Sequence, residues 1–355
     1  MLEGHPSSEP NPSSTEYRRE WTGIGQQLTG RESPPHRADG CSYPAVMGRL
    51  TRRYRVRRLR DGDWSERPDT LVVEEPLEIR VGGRAYAVTM RTPGHDFDLA
   101  SGFLVSEGVV GGTQDIATIR YCTDDSPCAR TAATSLQAVA AGGARASLPE
   151  DGRDHILPPA QPSTETAYNI VEVTLAAGVA PPRPDIERSV YTTSSCGVCG
   201  KTALDAVNTT TRWPVAHDAT QVRSSTLLAL PDLLRAEQRV FSRTGGLHAA
   251  GVFAPDGRLL CLREDVGRHN AVDKILGWAL QTGRLPLRGH VLQVSGRASF
   301  ELVQKAVMAG IPMLSAVSAP SSLAVDLAVE SGLTLAGFVR GNGMNVYTHP
   351  HRVVA

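Results

Sequence analysis

The pattern of apolar and polar positions first becomes regular in residues 71–91, where it predicts a β-hairpin. Apolar side chains occupy alternate positions on both sides of the Gly82-Gly83 pair. Two adjacent glycines readily adopt the positive φ angles of a two-residue hairpin turn, so the flanking runs are expected to pair as antiparallel strands. The alternating apolar residues are Leu77, Ile79, Val81, Tyr86 and Val88.

The rest of the first half predicts one helix and further strands. Residues 96–107 carry apolar side chains at helical spacing, and residues 169–175 form a short apolar run typical of a strand. Arginines alternate with apolar residues over positions 52–60, which favours a solvent-exposed edge strand over a partner-binding strip. We therefore predict a mostly β N-terminal subdomain over residues 47–194.

Helices and strands alternate in the second half and predict an α/β domain over residues 195–355. A helix over 227–241 is expected to end at Thr244-Gly245-Gly246, because glycine favours the left-handed conformation that ends many helices. A hairpin around Pro255-Asp256-Gly257 follows it. The other predicted helices are 270–280, 298–309 and 321–330, and the other strands are 291–295, 313–318 and 333–339. The alternation indicates a sheet with parallel neighbours, so the fold class is α/β, or α+β with the first half included.

Polar loops follow the predicted strands of this sheet. Ligands of such sheets bind at the carboxyl ends of the strands, and helix N-termini beside Gly, Ser and Arg suit phosphate groups. The loops are Glu264 to Asn270, Ser295 to Arg297, Ser318 to Ser322 and Phe338 to Gly343. We expect Arg268, Arg297 and Arg340 to contact a phosphorylated ligand. His248 and His269 suit either a ligand site or a hydrogen-bonded position in the core.

Two segments lie outside the regular pattern. Residues 1–46 are rich in Ser, Pro, Gly, Glu and Arg without apolar periodicity, and we predict a disordered tail. Residues 122–166 are rich in Ala, Gly and Pro and are interpreted as a variable insertion. Met47 opens the ordered part of the chain and offers an alternative start site.

Composition and charge exclude several classes of function. The chain has 355 residues, an apolar content of 41% and a formal net charge of zero. A neutral chain argues against bulk binding to nucleic acid or to a membrane surface, and no apolar run is long enough to span a bilayer. Six cysteines do not make a disulfide scaffold in a chain of this length, and reactive thiols persist best in a reducing compartment. We predict a cytoplasmic protein without nucleic-acid or membrane partners.

Cys196 and Cys199 form a C-x-x-C motif between a Ser-Ser pair and a predicted helix over residues 202–207. A serine N-cap would place helix N–H groups and the positive end of the helix dipole near the thiols, and Lys201 adds a positive charge. Each effect favours the thiolate, which is the reactive form of cysteine. The motif therefore predicts a nucleophilic or sulfur-carrying cysteine.

Other roles of the motif stay open. A structural zinc site needs four ligands, and the remaining cysteines supply no matching second pair, so no metal site is predicted. A thioredoxin-like redox pair and two structural thiols are further alternatives, although the glycine beside each cysteine exposes backbone instead of filling a core. Residues 195–202 nearly match a phosphate-binding loop, but Ser195 replaces its first glycine and no apolar strand leads into it.

Several of these motifs together resemble the FdhD family of formate dehydrogenase accessory sulfurtransferases. The resemblance extends over most of the chain from about residue 70 and is most specific in the last hundred residues. It rests on Arg91 to Gly94, Gly102 to Leu104, Ser106 to Gly108, Ser195 to Gly200, Thr244 to Ala250, Glu264 to Lys274 and Ser295 to Thr348.

The resemblance implies a sulfur carrier. Members of the family accept sulfur as a cysteine persulfide from a cysteine desulfurase and pass it to the bis-molybdopterin guanine dinucleotide cofactor of formate dehydrogenase. Their C-terminal part is similar to the cytidine deaminase fold without its zinc site. This sequence agrees, because no H-x-E precedes Cys196 and Ser195 replaces the proline of the deaminase P-C-x-x-C motif.

By this resemblance Cys196 is the persulfide carrier, and Cys199 assists it or accepts the sulfur. The molybdenum cofactor is expected to bind as a substrate along the last strand and the neighbouring loops. The residues expected to bind it are Phe338, Val339, Arg340, Gly341, Asn342, Gly343, Arg297, Arg268 and His269. The expected partners are a cysteine desulfurase, the catalytic subunit of formate dehydrogenase and a second copy of this chain in a homodimer. The alternative function is a cofactor-binding chaperone or a thiol redox protein that transfers no sulfur.

Overall fold

The computed structural model describes residues 50–122, 168–182 and 211–355. These residues all belong to one compact unit, Gly40–Ala355. The predicted tail, the C-x-x-C motif, the helix over 202–207 and nearly all of the predicted insertion lie outside the described residues. The predicted domain boundary at residue 195 lies there too and stays a prediction.

The described part of the first half contains strands and a single α-helix, and both the predicted hairpin and the predicted helix are confirmed. The hairpin turns at Gly82 and Gly83, whose φ angles are 59° and 80°. The elements are β1 (Thr51–Arg60), β2 (Asp63–Val72), β3 (Glu75–Val81), β4 (Arg84–Arg91), α1 (Asp96–Ser106), a 3₁₀ turn (Thr113–Asp115), β5 (Ile116–Tyr121) and β6 (Ile170–Leu175).

The second half alternates between helices and strands, as the sequence predicts. Its helices are α2 (Ser224–Glu237), α3 (Phe241–Thr244), α4 (Arg268–Gln281), α5 (Phe300–Met308) and α6 (Ser322–Ser331). Its strands are β7 (Val222–Arg223), β8 (His248–Phe253), β9 (Leu259–Asp265), β10 (Val291–Val294), β11 (Met313–Ala316), β12 (Thr334–Arg340), β13 (Gly343–Val346) and β14 (Val353–Val354), with a 3₁₀ turn at Pro350–Arg352.

These strands form four sheets in a mixed α/β fold. The largest has six strands in the order β13-β12-β11-β10-β8-β9, and a second has four in the order β4-β3-β6-β5. The central pairs β10-β11 and β11-β12 are parallel, whereas β8 runs antiparallel to both of its neighbours. Two two-stranded sheets, the ten-residue ribbon β1-β2 and the short pair β14-β7, complete the set. The likeness of this half to the cytidine deaminase fold stays a prediction.

The six-stranded sheet is covered on both faces. Leu227, Leu230 and Leu234 of α2 pack on one face together with Val291 and Met313. The other face packs against α4, α5 and α6, and the same core continues to the four-stranded sheet through α1. Strands buried on both faces lack the apolar–polar alternation of a half-exposed strand, and β10 and β11 are buried along their whole length, including Gln293 and Ser315.

Two glycines allow α1 and α4 to cross at close range. A Cβ atom on Gly102 would overlap the carbonyl oxygen of Asp273, and one on Gly277 would overlap that of Asp98. Beside the crossing, the Asp273 carboxylate accepts hydrogen bonds from Ser106 Oγ (2.6 Å) and Lys305 Nζ (2.7 Å). The crossing therefore joins the two halves of the described chain through close backbone contact and the buried Ser106–Asp273 hydrogen bond.

One predicted element is wrong in its extent. The helix predicted over 227–241 is two helices, α2 and α3, which are interrupted at Gln238. The buried carboxylate of Glu264 accepts hydrogen bonds from the backbone N–H groups of Val240 (3.0 Å) and Phe241 (2.8 Å). It satisfies donors at the start of α3 from a distant part of the chain, a tertiary contact that local periodicity does not reveal.

The arginine-rich segment is an exposed strand, but its pairing differs from an ordinary sheet edge. β1 pairs along its whole length with β2, and within the described residues the two strands pair with no other strand. β2 is not among the strands that the apolar pattern predicts. Among the described residues, no helix is long and apolar enough to cross a membrane.

Candidate functional site

Four predicted loops meet at one edge of the six-stranded sheet. Because β9, β10, β11 and β12 run in the same direction, their carboxyl ends lie at this edge, where β8 and β13 begin. We call this the carboxyl edge, defined by the four loops that follow the strands. They are Glu264 to Asn270, Ser295 to Arg297, Ser318 to Ser322 and Phe338 to Gly343.

Three helices begin at the carboxyl edge. The N-caps of α4, α5 and α6 are Gly267, Ser299 and Ser321. The hydroxyl of Ser321 accepts a hydrogen bond from Ala324 N at 3.2 Å. Unpaired N–H groups and positive dipole ends therefore accumulate along the edge, which favours an anionic ligand.

The loop between β9 and α4 is fixed by one buried carboxylate. Asp265 Oδ1 accepts hydrogen bonds from Gly267 N (2.8 Å) and Asn270 Nδ2 (3.0 Å). Its other oxygen accepts from Thr92 N (3.1 Å) and forms an ion pair of 2.7 Å with Lys274 Nζ. A buried ion pair is stable only when the remaining polar atoms of its side chains are hydrogen-bonded as well. The contacts of Asp265 meet this condition and hold the start of α4 in place.

This loop also contacts the segment after β4 directly. Val266 N donates to Thr92 Oγ1 at 3.1 Å, and Asn270 Nδ2 donates to the Met90 carbonyl at 2.8 Å. Arg91 is itself buried and bonded to both carboxylate oxygens of Asp96 at 3.1 Å. The two motifs that start at Arg91 and at Glu264 are therefore one connected structural unit.

Arg268 and His269 are the first two residues of α4. Arg268 Nε is buried and has no hydrogen-bond partner among the described residues. His269 Nε2 lies 3.2 Å from Ser299 Oγ and 3.6 Å from Glu301 Oε2, so it links the starts of α4 and α5. The interaction with His269 lowers the pKa of Glu301 to about 2, although burial opposes the shift.

His248, whose role the sequence leaves open, belongs to the same edge. It begins β8, and a Cβ atom on Gly296 would lie 3.4 Å from its Nδ1 atom. Burial lowers the pKa of His248, and the positive charge of Arg268 lowers it further. Both effects favour the neutral imidazole at the side of the loop after β10. Because β8 runs antiparallel to β9 and β10, its first residue lies at their carboxyl ends. That strand direction is the signal that could have placed His248 in the site.

The stretch from Phe338 to Gly343 divides into exposed and buried residues. Phe338 has a φ of 53° at a bulge between β12 and β13, and 36% of its surface is exposed. The Arg340 guanidinium lies 5.9 Å from the centre of the Phe338 ring. Val339 is fully buried in the sheet. Gly341, Asn342 and Gly343 are exposed.

The three predicted arginines form a row along the edge. Arg268 follows β9, Arg297 follows β10, and Arg340 ends β12. Four strand spacings separate β9 from β12, which is about 19 Å at ~4.8 Å per strand. Arg297 is exposed in the middle of the row. The arrangement suits a long anionic ligand better than a single compact phosphate.

The predicted sulfur-carrying cysteines, Cys196 and Cys199, lie outside the described residues. Among the described residues, no group of three or more His, Cys, Asp or Glu side chains is arranged to hold a metal ion. Within the described residues, the candidate functional site is therefore the carboxyl edge. Sequence reasoning placed its arginines and glycines, but it did not anticipate Ser299 and Glu301, which contact His269 from the next helix.

Comparison with known proteins identifies relatives over most of the chain. The model of the FdhD/NarQ family matches residues 72–354. A protein named sulfur carrier protein FdhD from Streptomyces avermitilis is 57% identical over 309 residues, which cover 86% of this chain and 97% of the relative. A protein of the same name from Mycobacterium tuberculosis is 51% identical over 307 residues, covering 86% of this chain and all of the relative.

A solved structure has the same fold. It is the crystal structure of a protein described as a candidate formate dehydrogenase accessory protein from Desulfotalea psychrophila. The TM-score is 0.59 at 21% sequence identity, and the match covers 86% of this chain and 100% of the other. At this identity the likeness concerns the fold alone.

Proposed function

The chain belongs to the FdhD/NarQ family, and from this premise we propose that it is a sulfur carrier that supports formate dehydrogenase. In this proposal it accepts sulfur from a cysteine desulfurase in the cytoplasm and delivers it to the bis-molybdopterin guanine dinucleotide cofactor. The observation that carries the proposal is the carboxyl edge, where three helix N-termini and a row of three arginines suit a long phosphate-containing substrate.

The sulfur step uses the two thiols of the C-x-x-C motif. The Cys196 thiolate attacks the terminal sulfur of the donor's persulfide, so a new S–S bond forms on Cys196 and the donor leaves as a thiolate. The Cys199 thiolate then attacks the inner sulfur of Cys196. That step forms a Cys196–Cys199 disulfide, supplies two electrons and releases the terminal sulfur as sulfide for the substrate. A cellular dithiol reductant restores the two thiols.

The carboxyl edge binds and orients the substrate in this scheme. Arg268, Arg297 and Arg340 pair with phosphate oxygens, and the exposed ring of Phe338 offers a surface on which a guanine base can stack. The Lys274–Asp265 ion pair keeps the start of α4 in position while the ligand enters and leaves. A homodimer is part of the proposal.

Mass spectrometry tests the sulfur-carrier role. After incubation with a cysteine desulfurase and cysteine, the peptide that contains Cys196 and Cys199 should gain one sulfur atom. Cys196→Ala should abolish the gain, whereas Cys199→Ala should keep it, because a lone thiolate still accepts sulfur. The peptide with Cys261 is the internal control, since Cys261 is buried and should gain none. A chain that binds the cofactor but never gains sulfur would be a chaperone and not a sulfur carrier.

A further inference from the structure

The β1-β2 ribbon is the part of the described molecule that the proposed function leaves unexplained. It consists of two ten-residue strands that pair only with each other among the described residues. Most of its side chains are exposed on both faces. A two-stranded hairpin is marginally stable in water by itself, so a ribbon of this length gains from a surface that covers it.

The ribbon concentrates positive charge in a chain whose formal net charge is zero. Seven arginines and four carboxylates occur between Thr51 and Val72, and six of the arginines lie on β1. The ion pairs Arg55–Glu66 and Arg60–Asp61 within the ribbon are long and exposed, at 3.9 Å and 3.7 Å. Pairs of this kind contribute little, so the arginines are available to an acidic partner.

Both faces of the ribbon expose apolar side chains beside arginines, and the more exposed apolar pair lies on the face with Leu59 and Trp64. Strand alternation places Arg53, Arg55 and Arg57 on the same side as Leu59, and Leu59 pairs directly with Trp64. Trp64 and Leu59 are 61% and 54% exposed, and the Arg57 guanidinium lies 5.2 Å from the Trp64 ring. Trp and Arg are the residue types that dominate the binding energy of protein interfaces. We call this the Trp64 face.

The base of the ribbon lies against the carboxyl edge. Leu50 packs with Val240 and Leu247 in a small apolar cluster, and Val72 and Val266 pack against the same cluster. Val266 belongs to the loop that positions Arg268, and Leu247 directly precedes His248. A partner held on the ribbon would therefore stand next to the proposed substrate site.

We propose that the Trp64 face is the docking surface for an acidic face of the protein that exchanges the substrate at the carboxyl edge. The inference rests on the proposed function, which makes that protein the catalytic subunit of formate dehydrogenase. Guanidinium groups pair with carboxylates of the partner, and Trp64 with Leu59 forms the apolar centre of the contact. Binding of this kind weakens as salt concentration rises.

Charge reversal on the two faces tests the proposal. One variant carries Arg53→Glu, Arg55→Glu and Arg57→Glu on the Trp64 face. The matched control carries Arg52→Glu, Arg58→Glu and Arg60→Glu, which change the net charge equally on the opposite face. Binding to the purified apo catalytic subunit is measured by biolayer interferometry at stepped NaCl concentrations, with melting temperatures as the folding check. The Trp64-face variant should bind roughly ten- to a hundred-fold more weakly, and the control close to wild type.

The outcomes separate this inference from the proposed function. Equal weakening by both triple variants, or by neither, would overturn the assignment of the Trp64 face. Tight binding of the full chain to an RNA oligonucleotide through this face would also overturn it. So would a Trp64-face variant that loses self-association but keeps client binding. Sulfur loading on the Cys196 peptide is measured in the same variants. If wild type never loads sulfur, the proposed function fails, whereas normal loading with unchanged client binding defeats only the docking surface.

Discussion

At the residue scale, His269 joins two helix starts by contacts that depend on charge. Its Nε2 atom lies between Ser299 Oγ and Glu301 Oε2, and the pKa of Glu301 is lowered to about 2 in consequence. The ordinary value is 4.5, so the folded chain keeps this carboxylate ionised over a pH range in which the unfolded chain protonates it. Stability from this contact is present above pH 4.5 and is lost as the pH falls toward 2.

Glu301→Gln should therefore remove part of the acid sensitivity of the fold. Between about pH 5 and about pH 2.5, wild type should lose on the order of 1 kcal/mol more unfolding free energy than the variant, since partial exposure screens the pair. Urea unfolding at both pH values measures the difference. Glu237→Gln, an exposed carboxylate at the end of α2, is the control and should follow wild type. Identical pH dependence of wild type and Glu301→Gln would contradict the assignment.

The arginines of the carboxyl edge predict a graded effect on nucleotide binding. Arg297 stands between Arg268 and Arg340 in the row, so one guanine nucleotide can reach it together with either neighbour. Arg297→Ala should weaken GDP binding most, by about ten- to a hundred-fold for one lost charge-assisted contact. Titration calorimetry measures it, with Arg284→Ala, placed beyond the other end of α4, as the control. Unchanged affinity in all three edge variants would place the ligand elsewhere.

Side-chain direction limits what residue spacing alone can predict. The sequence marks Phe338 to Gly343 as a ligand-binding stretch, but a bulge and a positive φ at Phe338 decide which members face outward. Val339 enters the core while Phe338 and Arg340 are exposed. His248 shows the opposite case, because only the antiparallel course of β8 brings it to the edge. Both outcomes depend on sheet register, which a single sequence does not determine.

At the scale of elements, local periodicity predicted the helices and strands of the sheet well. The hairpin at Gly82-Gly83, helix α4 and the alternation from β10 to β12 all agree with the prediction, because each has a clear apolar pattern and a turn or cap residue. The break between α2 and α3 was not predictable, since the carboxylate of Glu264 that fixes it comes from another strand. β2 was missed because its polar, exposed sequence carries no such pattern.

The close crossing of α1 and α4 predicts that one methyl group added at either of its two glycines lowers the stability of the fold. Gly102→Ala and Gly277→Ala each introduce a Cβ atom that overlaps a backbone carbonyl of the facing helix. Backbone cannot move aside as a flexible side chain does, so each change should cost about 1–3 kcal/mol and lower the melting temperature by several degrees. Calorimetry measures the change.

Gly343→Ala is the matched control for the crossing, because no atom lies within 4 Å of the position that its new methyl group would take and its φ is not positive. It should melt within about a degree of wild type. A melting temperature for Gly102→Ala equal to that of Gly343→Ala would mean that the helices are further apart than the structure describes.

At the scale of the whole molecule, the described core reaches both ends of the predicted insertion and the start of the described chain. The predicted insertion connects β5 to β6, which are paired antiparallel neighbours, and Cys122 N donates to the Ile170 carbonyl at 3.0 Å. The pairing of β5 with β6 therefore places the two ends of this segment side by side in the four-stranded sheet. At the N-terminal end of the described chain, Leu50 already packs in an apolar cluster with Val240 and Leu247.

Residues 1–46 are therefore predicted to be dispensable for the fold. A chain that starts at Met47 keeps Leu50, whose carbonyl accepts a hydrogen bond from Val73 N at 2.9 Å, and so keeps the base of the ribbon. It should melt at the same temperature as the full chain and support the client formate dehydrogenase equally well.

Leu50→Ala in the same shortened chain is the sensitive comparison and should cost about 2–3 kcal/mol, because it removes a buried side chain. A large drop in melting temperature on truncation alone would show that the first 46 residues pack on the fold. Lost client activity at unchanged stability would instead give those residues a role in docking a partner.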